Sequence, residues 1–158
     1  MYGRWLNKFP KYASYFEAST VRRIMETAQS ETKYKKALLI LWLGFRSGAR
    51  LNELMLLRIE EAWDGYVPVW HERTREVKYV CVCKDIKELE WLRGQIEGMK
   101  SVRTLIDVKA YSIDRWVRNI CKRAGVEIGE CEGYSAVIRP DEERTQAKAD
   151  EYAEEFVI

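Results

Sequence analysis

Ala37-Leu38-Leu39-Ile40-Leu41-Trp42-Leu43-Gly44-Phe45 constrains this chain more than any other stretch. A helix built from these residues has no face that can meet water without stranding apolar area, so it belongs at the centre of a core. It is too short to cross a membrane. Ser47-Gly48 ends it, because glycine accepts the left-handed geometry that commonly closes a helix. A second helical pattern opens at Arg50, with Glu53 one helical step later on the same side. The core helix thus delivers an arginine to a fixed place, with a carboxylate in reach of its fork. Taken alone, Arg-x-x-Glu equally describes a surface ion pair worth at most about 1 kcal/mol.

The 158 residues fit one domain able to bury a real core, and 47% hydrophobic with 33% charged residues is globular composition rather than disorder. A single histidine, His71, leaves little room for metal or proton-shuttle chemistry. Net charge is only +2, but its distribution is uneven. Residues 1–50 carry ten Lys+Arg against three Asp+Glu, while residues 129–158 carry three against nine. A basic amino-terminal half with an acidic tail points to a polyanionic partner. Cys81, Cys83, Cys121 and Cys131 make no zinc pattern. On a strand, Cys81 and Cys83 share a face and are expected to act as small core residues. No export signal or membrane span is visible, and a reducing, intracellular (cytoplasmic) setting is expected.

Along the chain, residues 1–18 form a basic and aromatic arm in which Arg4, Lys8 and Lys11 alternate with Tyr2, Trp5, Phe9, Tyr12, Tyr15 and Phe16. Such a mixture suits either a surface that tracks a nucleic-acid backbone or an arm packed over the core. Ser19-Thr20 is expected to cap a first helix near Val21, with Val21, Ile24, Met25 and Ala28 inward. Helix two is expected from about Lys33 to Arg46. Lys33, Lys35 and Lys36 crowd its start, where the helix dipole disfavours cations, and this favours a role outside the helix. Helix three is expected from Arg50 to about Ala62, before the Asp64-Gly65 turn.

From Tyr66 the period becomes two, giving strands Tyr66–Trp70 and Val77–Cys83, the first demoted to an edge by Pro68. An amphipathic helix ending at Gly98 follows, with Ile86, Leu89, Leu92 and Ile96 inward. The next starts at Tyr111-Ser112, buries Ile113, Trp116, Val117 and Ile120, and closes at Gly125. Its outer face carries Arg115, Arg118, Lys122 and Arg123. Pro140 and the acidic residues after it suit the start of a last, strongly acidic helix over residues 140–158.

The run "LLILWLGFRSGARLNELMLLRIEEAW" resembles the start of the catalytic domain of tyrosine recombinases (phage integrases). There an apolar helix, a glycine turn, Arg-x-x-Glu-Leu and Leu-x-x-Leu-Arg carry the first catalytic arginine; the match is close over residues 37–63. The resemblance implies an α+β, mostly helical, tyrosine recombinase catalytic-domain-like fold with a small antiparallel sheet over residues 19–139. It implies Arg50 on a DNA phosphate, with Glu53 as its structural support. It also implies a catalytic lysine near a strand turn, with Lys78 and Arg73 as the candidates. Lys78 is preferred, since an arginine pKa hardly moves, though a plain solvent-facing lysine explains it as well.

"Lys-Arg-Ala-Gly-Val" at residues 122–126 resembles the close of the family's helix before its second motif. The family then shows His-x-x-Arg, where this chain has Ala136-Val137-Ile138-Arg139. Two guanidinium forks suit the charge that builds on the non-bridging oxygens of the scissile phosphate. Tyr152 is the only tyrosine after Arg139, close behind it and among acidic residues. As the catalytic nucleophile it stands too soon, and a structural role is expected.

These features imply a mobile-element, DNA-recombination relative that binds double-stranded DNA weakly through Arg4, Lys8, Lys11, Lys33, Lys35, Lys36, Arg115, Arg118, Lys122 and Arg123. Three functions follow. The chain is a DNA-binding module that has lost strand cleavage. Alternatively it is an active recombinase whose nucleophile comes from a homo-oligomer, a complementary integrase subunit or a longer parent chain. The third is a protein-interaction domain that retains the fold. No metal or organic cofactor is implied, because phosphotyrosine chemistry needs neither, and no membrane partner is expected.

Overall fold

The computed structural model describes residues 16–71, 74–97, 104–130 and 132–138. Arg4, Lys8, Lys11, Arg73, Cys131, Arg139, Tyr152 and the acidic stretch 140–158 lie outside the described residues.

Helix α1 (Ala18–Gln29) buries Val21, Ile24, Met25 and Ala28, the set expected from their spacing. It starts before the expected Ser19-Thr20 cap. The Glu17 carbonyl accepts the Thr20 and Val21 N–H groups at 3.0 and 3.1 Å, so Ser19 and Thr20 lie inside the first turn. A short 3₁₀ turn over Thr32–Tyr34 then buries Tyr34, and α2 runs from Lys35 to Ser47. Lys33 therefore precedes the helix it was expected to open. Every residue of α2 from Ala37 to Arg46 is buried. Each large apolar side chain taken wholly from water here contributes roughly 1.5–3 kcal/mol. Gly48, at φ 73°, ends the helix, and its N–H donates to the Gly44 carbonyl at 2.8 Å.

The single helix expected from Arg50 to Ala62 is instead two short ones, α3 (Leu51–Met55) and α4 (Ile59–Trp63). The break is anchored from elsewhere in the chain. Leu57 is fully buried, its carbonyl accepts the Leu105 N–H at 3.0 Å, and Arg58 bridges Thr104. Arg58 then restarts the helix, its N–H donating to Glu61 Oε1 at 3.1 Å. Helical periodicity alone cannot register a stop imposed by a distant loop segment.

Strands β1 (Tyr66–His71) and β2 (Glu76–Cys81) pair antiparallel, with Val67 opposite Val80 and Val69 opposite Lys78. Cross-strand partners share a face. Val67, Val69, Val80 and Lys78 therefore line one side of the hairpin, and Tyr66, Trp70, Val77, Tyr79 and Cys81 the other. Cys81 is exposed, correcting its expected place in the core. Cys83 lies past the strand and is half-buried.

Helix α5 (Ile86–Glu97) buries Leu92 and Ile96, but Ile86 is 73% exposed and Glu88 is buried instead. Helix α6 (Ala110–Ala124) buries Ile113, Val117, Ile120 and Cys121, leaves Trp116 half-buried, and stops at Gly125 with φ 72°. Helix α7 (Tyr134–Ile138) is buried except for Ser135. Helix α2 stands at the centre, packed against α1, α3, α6, α7 and both strands. No helix among the described residues is long and apolar enough to cross a membrane.

Candidate phosphate-binding site at Arg50

Arg50 is presented by the turn between α2 and α3. Its backbone is extended (φ −73°, ψ 156°), which places it at the cap position of α3. The turn is held from within: Ser47 Oγ donates to the Leu43 carbonyl at 2.7 Å and accepts the Ala49 N–H at 3.1 Å. It is also held from outside, because the Tyr134 hydroxyl on α7 donates to the Ala49 carbonyl at 2.6 Å. The Arg50 side chain emerges from this frame 40% exposed.

Glu53 works with both oxygens. Oε1 accepts the Arg50 N–H at 2.9 Å and lies 3.6 Å from Arg50 Nη1. Oε2 accepts the Trp70 N–H of β1 at 2.7 Å. One carboxylate thus caps α3, neutralises part of the arginine and pins the hairpin to the turn. Arg58–Glu61 is the informative contrast, since it shows the same Arg-x-x-Glu spacing and the same backbone cap. There the arginine side chain is 65% exposed, and its Nε donates to Glu61 Oε1 at 3.4 Å. Spacing alone gives a helix cap, and both turns are held from elsewhere in the chain. What distinguishes the Arg50 turn is that Glu53 also bonds β1 and that α7 holds the Ala49 carbonyl, whereas residues 104 and 105 hold the Arg58 turn.

The face on which Lys78 stands also carries Val67 and Val69, which pack into the core. Its side chain is 51% exposed, with Nζ 3.7 Å from Glu76 Oε1 on the same strand. The other basic residues divide. Lys36 bonds Asp107 at 3.1 Å, Lys33 lies 3.4 Å from Glu31, and Arg123 pairs with Glu31. Arg118 Nη1 donates to the Glu132 carbonyl at 3.1 Å, bracing the segment that leads into α7. Lys35, Arg115 and Lys122 are exposed. Among the described residues no group of three or more His, Cys, Asp or Glu side chains is placed to hold a metal ion.

Two features went unread in the sequence. Arg46, which spacing marks only as the end of the apolar run, is 6% exposed. It makes a two-pronged bond to Glu88, 2.7 Å on each arm, donates to the Val82 carbonyl at 3.0 Å, and lies 4.9 Å from the centre of the Trp42 ring. Burial pushes the Glu88 carboxyl up, but the bonds and charges of Arg46 and of the Lys84 N–H hold it below the ordinary glutamate value. The signal was a charged residue at each of two positions that helical phase puts inside. The second feature is Tyr134, which no pattern links to Ala49.

No protein-family model matches the chain, and no curated protein does. Among solved structures the chain is similar to XerA recombinase, with a TM-score of 0.57 and 19% identity over 80% of this chain. The matched region spans 46% of that recombinase, less than half its length. At that identity the likeness is one of fold: a mostly helical body with a small two-stranded antiparallel sheet, similar to a recombinase.

Proposed function

We propose that this protein binds duplex DNA through a recombinase-like fold, with Arg50 on a backbone phosphate and Glu53 holding the arginine in place. The observation that carries the reading is Arg50 itself, a half-exposed side chain on a turn fixed by Ser47, Glu53 and Tyr134. A planar fork matches a phosphate geometrically, and the backbone that carries it is ordered before the ligand arrives. Arg115, Lys122 and Lys35 add backbone contacts that need only charge and reach. Arg139 is the proposed second fork, and Lys78 is proposed to join both arginines at the phosphate; the lysine would act as a proton donor only in a cleaving relative. Tyr152, among acidic neighbours, is proposed as structural, so that strand cleavage is not expected from this chain alone.

The test is a titration of a fluorescent duplex at low salt. Arg50→Ala is expected to weaken binding about tenfold, the scale of one lost charge-assisted contact. Arg50→Lys, which keeps the charge but not the fork, is expected to recover only part. Wild-type affinity in Arg50→Ala removes the proposal.

A second reading is an active recombinase completed by a nucleophile from another subunit or a longer chain. Its supporting observation is the 46% coverage of XerA recombinase. Covalent capture on a nicked duplex with the complementary subunit or the longer chain present, dependent on this chain, establishes this reading; a complex with the same components that denaturant always disperses removes it.

A further inference from the structure

Tyr134 is completely buried, and its hydroxyl meets a carbonyl 85 positions away, that of Ala49, the residue directly before Arg50. Ala49 is buried as well, so its carbonyl has no ready exchange of this donor for water. The approach depends on Gly44. A Cβ there would stand 2.5 Å from Tyr134 Oη and 2.9 Å from two carbons of Ile138, so only glycine lets α7 lie this close to α2. The backbone of Tyr134 is fixed from α6, where Asp114 Oδ1 accepts its N–H at 2.9 Å. Gly133 lies so near Asp114 that a Cβ would collide with the carboxylate. Three elements therefore converge to aim one phenol at the turn that presents Arg50.

We infer that Tyr134 is a positioning residue for Arg50: its hydroxyl fixes the Ala49 carbonyl, and with it the place from which the guanidinium reaches a phosphate. The inference rests on the proposed phosphate role of Arg50. Removing the hydroxyl leaves the Ala49 carbonyl short of a donor, and the turn rotates or admits water to satisfy it. The fork then samples more orientations, and a two-pronged contact loses more from this than a point charge does. Because α7 ends at Ile138, the same bond joins the Arg50 turn to the segment that runs directly into Arg139.

The test is a double-substitution cycle in the full chain, read by duplex titration at low salt. Tyr134→Phe keeps the ring and removes the hydroxyl. It is expected to weaken binding about fivefold. In the Arg50→Ala background the same change is expected to cost less than about twofold, because the hydroxyl acts through the arginine. Ile120→Val, a trim of the α6 core, is the control for stability: it lowers the melting temperature and leaves duplex affinity unchanged. Asp114→Ala, which frees the α7 amino terminus, is a second route to the same loss and the same non-additivity. Wild-type affinity in Tyr134→Phe, or a loss that adds in full to that of Arg50→Ala, overturns the inference and leaves the phosphate role intact. An Arg50→Ala protein that binds normally removes the phosphate role, and the inference with it.

Discussion

Arg46 and Arg50 stand four residues apart, one inside the fold and one at its edge, and they are expected to respond differently to substitution. Arg46 is matched by Glu88 on two arms within the core, so removing either partner strands a buried charge. Glu88→Gln or Arg46→Met is therefore expected to cost about 3–5 kcal/mol, read from urea unfolding. Replacing both partners with apolar residues is expected to restore much of that. The pH dependence follows from Glu88, whose folded carboxyl is held below its ordinary value. A depressed folded pKa adds stability above the unfolded value and loses it as pH falls through the folded one. The gap between wild type and Glu88→Gln should thus be full near neutrality and shrink below about pH 4.3.

The thiols give a second prediction at this scale. Burial pushes the Cys83 and Cys121 thiols up to about 12, aided at Cys83 by the nearby Glu88, while Cys81 is exposed. The thiolate is the reactive form. Maleimide labelling followed by peptide mass analysis is expected to modify Cys81 in the native protein, and Cys83 and Cys121 only in denaturant. Native labelling of Cys121 at the rate of Cys81 contradicts the packing described for α6.

At the scale of elements, the two Arg-x-x-Glu caps provide an internal comparison. Glu53 accepts backbone N–H groups from both α3 and β1, whereas Glu61 caps only α4. Glu53→Gln is expected to cost about 1–3 kcal/mol in urea unfolding. Glu61→Gln should cost under about 1 kcal/mol. Equal costs would show that pinning the hairpin to the turn contributes nothing. These elements also show what a sequence discloses. The apolar core of α2, its glycine stop, the buried stripes of α1 and α6, and the hairpin were legible, because each is local periodicity or local backbone preference. The break between α3 and α4 was not, because Leu105 and Thr104 impose it from some fifty residues away. Cys81 and Ile86 were misplaced for a related reason. Alternation on a strand and the 3.6 period on a helix give which residues share a face, and only packing decides which face turns inward and where its edge falls. Arg50 with Glu53 was visible as spacing, yet Arg58 with Glu61 has that spacing too. The bonds that place each turn, from Trp70 and Tyr134 at one and from Leu105 at the other, join residues far apart in the chain.

For the whole molecule, a net charge of +2 hides strongly basic first fifty residues, and several of their cations are already engaged within the fold. The proposed duplex contacts of Arg50, Arg115, Lys122 and Lys35 predict binding that weakens steeply with salt, since each neutralised phosphate releases counterions. Arg115→Ala and Lys122→Ala are each expected to lower affinity evenly across duplex sequences. Arg118→Ala should act mainly on stability, because that side chain already holds the Glu132 carbonyl.

The most direct test of the account is the salt slope of duplex binding for wild type and Arg50→Ala, measured on one duplex over one salt series. If Arg50 neutralises a phosphate, the logarithmic slope of the variant is shallower by about one. Parallel slopes with equal affinity would mean that Arg50 and Glu53 form only a helix cap, and would contradict the phosphate site.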